Sequence, residues 1–137
     1  MPPSESVLQE MMIAARAAAA RAYCPYSRFP VGAAVLTDKG TIFSGCNVEN
    51  ASFRLTTCAE QAAIATAVSL HGPGIRIRAV AVANLNAAAS EPCGACRQTI
   101  HEFSTPDTIV FYPSAFGVIS ETTISKLLPA AFVLENS

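Results

Sequence analysis

Two short stretches, Cys58-Ala59-Glu60 and Pro92-Cys93-Gly94-Ala95-Cys96, organise the rest of this chain. The second provides a pair of thiols three residues apart, and the first provides a third thiol followed by a carboxylate. Three thiolates can hold a zinc ion tetrahedrally and leave the fourth position open, which is typical of catalytic zinc sites. Glu60 is too close to Cys58 to complete the ligand set, so we expect it to act on the group that fills the open position.

Further motifs surround these stretches in a consistent order. They are PYSRFPVGAA at 25–34, NVENASF at 47–53, and LLP at 127–129 followed by Phe132, while Arg97 and Gln98 extend the second stretch. From about Ala22 to Phe132, the chain resembles the small homotetrameric zinc-dependent cytidine deaminases. A pair of cysteines alone is a moderate signal because zinc ribbons also contain one, but the five motifs together are specific.

The resemblance implies both a fold and an activity. The expected fold is a three-layer α/β/α sandwich with a five-stranded mixed sheet. The expected reaction is the hydrolytic deamination of cytidine and 2′-deoxycytidine to uridine and 2′-deoxyuridine, with release of ammonia, as a step of pyrimidine salvage. The expected assembly is a homotetramer that holds one Zn²⁺ per subunit and shares its active sites between subunits.

The resemblance also assigns roles to the residues of the two organising stretches. Cys58, Cys93 and Cys96 would be the zinc ligands. Glu60 would take a proton from the attacking water, deliver one to N3 of the pyrimidine and help to protonate the departing amine. A closed structural zinc site is the alternative, but it needs a fourth ligand, and neither His71 nor His101 lies at a spacing common for such sites.

A second group of residues is expected to bind the substrate. Asn47 and Glu49 lie two residues apart, so in an extended backbone their side chains face the same side, and by resemblance they bind the ribose 3′-hydroxyl. The resemblance places Phe29 on the base and the Ala59 N–H on the 2-oxo group. It implies that the side chain of Phe132 reaches into the pocket of a neighbouring subunit. Pattern alone would assign Phe29 and Phe132 to ordinary core.

Composition limits the class of protein. A chain of 137 residues predicts one domain, over 1–137. Because 51% of the residues are hydrophobic and 14% are charged, we expect a subunit that buries much of its surface against copies of itself. The net charge of −1 and the lack of a basic run argue for a free nucleoside and against a nucleic-acid partner. The apolar stretch 11–20 is too short to cross a membrane, and the cysteine usage without a signal peptide predicts a reducing cytoplasm.

Periodicity and turn residues predict the order of helices and strands. A helix is expected from Ser4 or Ser6 to about Tyr23, and a hairpin from two strands at 31–37 and 41–46. Thr57 is expected to be the N-cap of a second helix that reaches about Leu70. The remaining predictions are a buried strand at 75–83 parallel to its partner, a helix at 93–103, strands at 108–112 and 116–119, a helix at 121–127 and a tail at 130–137.

Two residues depart from the family pattern. Gln61 stands where the family usually has Arg, so this cation is missing and the thiolates keep more of their negative charge, although Arg97 remains directly after the last thiol. Arg54 stands where a small residue or Pro is usual, and its role is open, which leaves the accepted size of substrate open too.

Two other functions compete with cytidine deamination. One is deamination of a modified or antibiotic nucleoside, because blasticidin-S deaminases share the Cys-Ala-Glu and paired-Cys pattern. The NVENAS run at 47–52 favours cytidine over this reading. The other is a zinc-ribbon-like binding module that has no turnover.

Overall fold

A five-stranded mixed sheet forms the centre of the computed structural model, which describes residues 2–135. The sheet has the order β2-β1-β3-β4-β5. Only β3 and β4 are parallel to each other, and the other neighbours are antiparallel. The strands are β1 Val31–Thr37, β2 Ile42–Cys46, β3 Ile77–Asn84, β4 Ser104–Pro113 and β5 Ile119–Thr123. The mixed sheet and the 31–46 hairpin are therefore confirmed.

Helices cover both faces of the sheet, which confirms the expected three layers. Helix α1 (Glu5–Ala19) packs on one face, while α2 (Ala59–His71), α3 (Gly94–Phe103) and α4 (Ile124–Leu127) pack on the other. The central strands are buried on both faces, and alternate residues enter different cores. The core beneath α1 includes Ala34, Leu36, Ala79, Ala81 and Phe111, and the core beneath α2–α4 includes Ala33, Val35, Val80, Val82 and Val110.

Several predicted boundaries shift. Ser4 is the N-cap of α1 as expected, but the helix ends at Ala19 and not near Tyr23. The main chain of Tyr23 cannot continue the helix because it bonds to Asn47 and Glu49. These bonds form an isolated parallel bridge to the segment after β2. The predicted tail at 130–137 has no regular secondary structure over 130–135, and 136–137 lie outside the described residues, as does Met1.

The predicted strand at 116–119 and helix at 121–127 are wrong in their bounds. Residues 115–117 form a short 3-10 turn, and the strand is β5, which runs from Ile119 to Thr123. Pairing with β4 explains the change, because Thr123, Glu121 and Ile119 stand opposite alternate residues of that strand. Only the last four residues of the predicted helix, Ile124–Leu127, remain helical, with Thr123 as N-cap.

Two glycines let the helices approach the sheet closely. A Cβ on Gly32 of β1 would lie 1.8 Å from the carbonyl oxygen of Ala15 in α1, and a Cβ on Gly45 of β2 would lie 2.5 Å from the nitrogen of Ala63 in α2. Helix α2 carries part of the candidate site, so Gly45 helps to set the height of that site above the sheet. Within residues 2–135, no helix has the length and apolar character needed to cross a membrane.

Gly32→Ala is expected to destabilise the protein strongly. The added methyl group would meet main-chain atoms of α1 that cannot rotate away, and overpacking of a core costs about 1–3 kcal/mol or more. Urea unfolding at one fixed protein concentration measures the loss. Gly74→Ala is the matched control, because a Cβ there meets nothing within 4 Å. Equal midpoints for the two variants would contradict the close packing of α1 on β1.

Candidate active site

The three predicted metal ligands all lie at helix N-termini. Cys58 is the N-cap of α2, Cys93 is the N-cap of α3, and Cys96 lies in the first turn of α3. The expected N-cap at Thr57 is therefore wrong by one residue, because Thr57 forms an antiparallel bridge to Val48 through both of its main-chain groups. Free N–H groups and the positive end of the helix dipole favour a thiolate at each of these positions.

The three sulfur atoms lie close enough together to hold one metal ion. All three Sγ atoms lie within 4.8 Å of one another, and those of Cys93 and Cys96 are 3.4 Å apart. Tetrahedral zinc with Zn–S bonds of about 2.3 Å places its sulfur ligands about 3.8 Å apart. Soft thiolates in this geometry fit zinc, and three of them leave one coordination position for a reactant. The cluster thus fits the cofactor that the sequence predicts.

A hydrogen bond between two of the thiols shifts their pKa values in opposite directions. A hydrogen bond from the Cys96 thiol lowers the pKa of Cys58 to about 6, in spite of partial burial. The same bond, followed by burial, raises the pKa of Cys96 far above its ordinary value. Ionisation of one thiol of the pair thus opposes ionisation of the other. Because zinc binds thiolates and not thiols, metal binding must release the remaining protons.

Glu60 lies beside this cluster in the first turn of α2. The residue is only 5% exposed. Burial, and then the negative charge of Cys58, raise the pKa of its carboxyl to about 7. Zinc held by three thiolates would change the charge beside Glu60, so this shift describes the metal-free cluster. Glu60 thus combines a protected position with access to either protonation state, as a proton shuttle requires.

A pocket of about 230 Å³ joins the cluster to most of the predicted substrate contacts. Its wall contains Phe29, Asn47, Cys58, Ala59, Glu60, Cys93 and Cys96, and also Val31, Thr56, Ser90 and Glu91, which the sequence reading missed. Ser90 and Glu91 immediately precede the Pro92-Cys93 motif, so their position along the chain could have indicated them. Thr56 and Val31 gave no comparable signal. Glu49 and Phe132 are not part of this wall.

Asn47 shapes part of the pocket wall. Its Oδ1 accepts the Val31 N–H at 2.9 Å, and its Nδ2 donates to the Phe29 carbonyl oxygen at 2.9 Å. The side chain thereby fixes the main chain on both sides of Pro30 and holds the half-buried Phe29 in the pocket wall. An amide can make further hydrogen bonds through the second lone pair and the second N–H, so Asn47 can still bind a sugar hydroxyl.

Glu49 organises the loop next to Phe29. Its Oε1 accepts the N–H groups of Tyr26 at 3.0 Å and Ser27 at 3.2 Å, and its Oε2 accepts the Ser27 hydroxyl. The Ser27 hydroxyl in turn accepts the Phe29 N–H at 3.0 Å. The bond from the Ser27 hydroxyl is the main reason that the pKa of Glu49 is held below its ordinary value. These bonds do not test the predicted contact between Glu49 and the ribose, which remains a prediction.

Glu49→Gln is expected to raise KM for cytidine, with a smaller effect on kcat. The amide replaces charge-assisted bonds, which are roughly twice as strong as neutral ones, and so loosens the loop that carries Phe29. Steady-state kinetics with cytidine and with 3′-deoxycytidine separate the two roles of the carboxylate. A direct sugar contact predicts a larger KM increase for cytidine, whereas loop positioning predicts equal increases for both. An unchanged KM for both substrates would contradict either role.

The C-terminal segment is attached to α3 through its main chain. Gln98 donates from Nε2 to the carbonyl oxygen of Phe132 at 3.0 Å. The ring of Phe132 is 69% exposed and does not line the pocket of its own chain. This position leaves the ring available to another molecule.

Arginine and glutamine residues around the cluster bind main-chain groups. Arg97 donates from Nε to the Pro92 carbonyl oxygen at 2.7 Å and from Nη1 to the Leu127 carbonyl oxygen at 3.0 Å. It thereby ties the loop before α3 to the end of α4. Gln61 accepts the Cys58 N–H through Oε1 at 3.1 Å. Arg54 is exposed in the 3-10 turn Phe53–Leu55.

Comparison with known proteins agrees with this geometry. The model of the cytidine and deoxycytidylate deaminase zinc-binding region matches residues 5–112. A cytidine deaminase of Sporosarcina psychrophila is 44% identical over 130 residues, which cover 94% of this chain and 93% of the relative. A blasticidin-S deaminase of Bacillus cereus is 35% identical over 109 residues, which cover 74% of this chain and 76% of the relative.

Solved structures give the same result at the level of the fold. The crystal structure of cytidine deaminase from Burkholderia pseudomallei superposes with a TM-score of 0.80 at 42% identity, covering 90% of this chain and 98% of that one. The region matched by the family model, residues 5–112, includes both organising stretches. The chain therefore belongs to the cytidine and deoxycytidylate deaminase family and carries its zinc-binding region.

Proposed function

We propose that this protein deaminates cytidine and 2′-deoxycytidine by hydrolysis, giving uridine or 2′-deoxyuridine and ammonia. The observation that carries the proposal is the buried Glu60 carboxylate beside three thiols that fit zinc, in one pocket with Phe29 and Asn47. The 44% identical cytidine deaminase supports the choice of substrate. The uridine product is reusable, which is consistent with pyrimidine salvage.

Different residues of the pocket have different roles in the reaction. When bound at the cluster, zinc supplies the Lewis acidity that activates water. Glu60 accepts a proton as water adds to C4 of the pyrimidine and passes a proton to N3. It then assists proton delivery to the amino group as the C4–N bond breaks and ammonia leaves. Ala59 is the first residue of α2, so its N–H has no acceptor within the helix and can bind the 2-oxo group.

The sugar end of the pocket sets the expected substrate range. The predicted contacts from Asn47 and Glu49 both go to the 3′-hydroxyl, so loss of the 2′-hydroxyl should be tolerated. The ionisable residues in the described pocket wall are Glu60, Glu91 and three cysteines, without Lys or Arg. A 5′-phosphate would meet no compensating cation there, so cytidine monophosphate should be a poor substrate.

Turnover of a substrate panel by the zinc-loaded protein tests the proposal. Loss of the cytidine absorbance band and release of ammonia are measured with cytidine, 2′-deoxycytidine, cytidine monophosphate and blasticidin S. We expect comparable kcat/KM for the two nucleosides and a much lower value for the nucleotide. A preference for blasticidin S would support the second candidate, to which the 35% identical relative points. Stoichiometric zinc without turnover of any substrate would support a binding module. Comparable turnover of nucleotide and nucleoside would point to Arg54 as a phosphate contact.

We also propose that the protein is a homotetramer with active sites shared between subunits. Exposed apolar side chains support assembly, namely Phe53 at 73%, Leu55 at 63% and Phe132 at 69% exposure. The anchored main chain of Phe132 supports a role for its ring in a neighbouring pocket. A reducing cytoplasm is the proposed location, because the ligand thiols must stay reduced to bind zinc.

Phe132→Ala is expected to raise KM for cytidine several-fold if the ring closes a neighbouring site. Leu134→Ala is the matched control, because it removes a side chain that is equally exposed and lies two residues further along the segment. Steady-state kinetics and light scattering after gel filtration are measured for both. A dimeric or monomeric parent protein, or a Phe132→Ala variant with parental kinetics, would remove the shared-site model.

A further inference from the structure

Gln61 makes a hydrogen bond to the main chain of one of the three cysteines of the cluster. It is the third residue of α2, and its Oε1 accepts the N–H of Cys58, the N-cap of the same helix, at 3.1 Å. A side chain at this position that reaches back to the N-cap N–H is one half of a capping box. The N-cap here is also one of the three thiols that fit zinc.

The surrounding bonds show what this contact fixes. Thr57, the preceding residue, is held by two main-chain bonds to Val48, each 2.9 Å long. The carbonyl oxygen of Cys58 accepts the Ala62 N–H at 3.0 Å. The Gln61 bond occupies the remaining main-chain group of Cys58, the N–H. With both groups held, the extended backbone of Cys58 (φ −76°, ψ 156°) is fixed, and so is the direction of its Cα–Cβ bond.

We propose that Gln61 is a positioning residue for the zinc site, which aims Cys58 Sγ at the sulfur atoms of Cys93 and Cys96 by holding the Cys58 N–H. The inference rests on the assignment of Cys58 as a zinc ligand in the proposed function. Cys58 is the ligand that needs such a device, because it comes from a different helix from the other two. A misdirected Sγ would lengthen one of three metal bonds, and groups that orient metal ligands typically contribute 10–100-fold to metal affinity.

The chemistry of the contact defines which side chains can replace Gln61. The side chain must accept a hydrogen bond, must reach one turn back along α2, and must fit a half-buried position. Glu satisfies these requirements and is the other common residue at this place in a capping box. Met has a similar length but only a weakly accepting sulfur. Gln61→Met therefore removes the bond at nearly constant size, and Gln61→Glu keeps it.

A helix cap of purely structural value is the competing explanation. It would lower the stability of α2 without changing how zinc is held. Ser4→Ala provides the control for this effect, since Ser4 caps α1 on the opposite face of the sheet by accepting the Val7 N–H at 3.3 Å. Loss of that cap should lower the melting temperature and leave the metal site alone.

The experiment measures metal binding directly in the full-length zinc protein. Release of Zn²⁺ to a chromophoric chelator gives a dissociation rate, and the thiolate-to-metal and d–d bands of the Co²⁺-substituted protein report the ligand geometry. We expect Gln61→Met to release zinc about 10–100-fold faster and to show altered Co²⁺ bands. We expect Gln61→Glu to release zinc no faster than the parent, with unaltered bands.

Each outcome decides between the two explanations. If Gln61→Met resembles Ser4→Ala, with a lower melting temperature but parental zinc release and Co²⁺ bands, the proposal is overturned. Rapid zinc loss from Gln61→Glu at the same rate as from Gln61→Met also overturns it. If Gln61→Met does not fold, Gln61→Ala is compared with Gln61→Glu by the same two measurements. A parent protein that binds no zinc would instead refute the assigned site, and so the proposed function.

Discussion

Glu60→Gln is expected to bind zinc like the parent protein and to lose roughly 10²–10⁴-fold in kcat, the usual contribution of general acid–base catalysis. The amide occupies the same volume in a position that is only 5% exposed. It cannot take a proton from water or return one to the pyrimidine. Because one carboxylate is proposed to serve several transfers, we expect the loss to lie at or above the upper end of that range.

The measurement needs matched samples. Zinc content and the urea unfolding midpoint are determined for both proteins, and kcat is compared at saturating cytidine. Equal zinc and equal stability assign the loss to chemistry and not to folding. If the variant keeps more than about a tenth of parental kcat, far above what loss of such a group allows, Glu60 is not the proton shuttle.

Cys96→Ala is expected to have the largest effect on metal content. Cys96 is the buried member of the cluster, only 1% exposed, and its sulfur lies 3.4 Å from that of Cys93. Removing it leaves two thiolates on two different helices, so zinc affinity should fall by more than the roughly 10–100-fold that loss of an outer contact costs. The melting temperature should fall as well, since α2 and α3 lose their shared anchor.

Cysteines outside the cluster provide the controls for this prediction. Cys24 and Cys46 are partly buried free thiols that do not belong to the metal-binding group among the described residues. Cys24→Ala and Cys46→Ala should retain parental zinc after dialysis against a chelator, whereas Cys96→Ala and Cys93→Ala should not. Full zinc occupancy in both of the latter variants would contradict the assigned ligands.

The sequence predicted the architecture well where turn and capping residues determine the local structure. The 31–46 hairpin follows from an Asp38-Lys39-Gly40 turn between apolar runs, and the structure contains it. The placement of three thiols at helix N-termini follows from capping preferences and from Pro92 just before the third helix. It is confirmed apart from the one-residue shift at Thr57. The elements at 116–127 were mispredicted because pairing with β4 decides where β5 begins and ends, and that pairing leaves no clear periodicity in the segment itself.

The sequence by itself determined the metal-binding chemistry, because the identity and spacing of Cys58, Cys93 and Cys96 limit what can bind there whatever the detailed fold. Only the tertiary structure decided what the neighbours of these residues do. From sequence, Gln61 is a missing positive charge, yet in the structure it is an acceptor for the Cys58 N–H. For Glu49 the sequence predicts only a contact with the sugar, whereas in the structure its carboxylate accepts hydrogen bonds that organise the 26–29 loop. The physical reason is that a hydrogen bond depends on distance and direction. These are set when Cys58 is held between the Thr57–Val48 bridge and α2, and when the 26–29 loop bonds to Glu49 in the segment after β2.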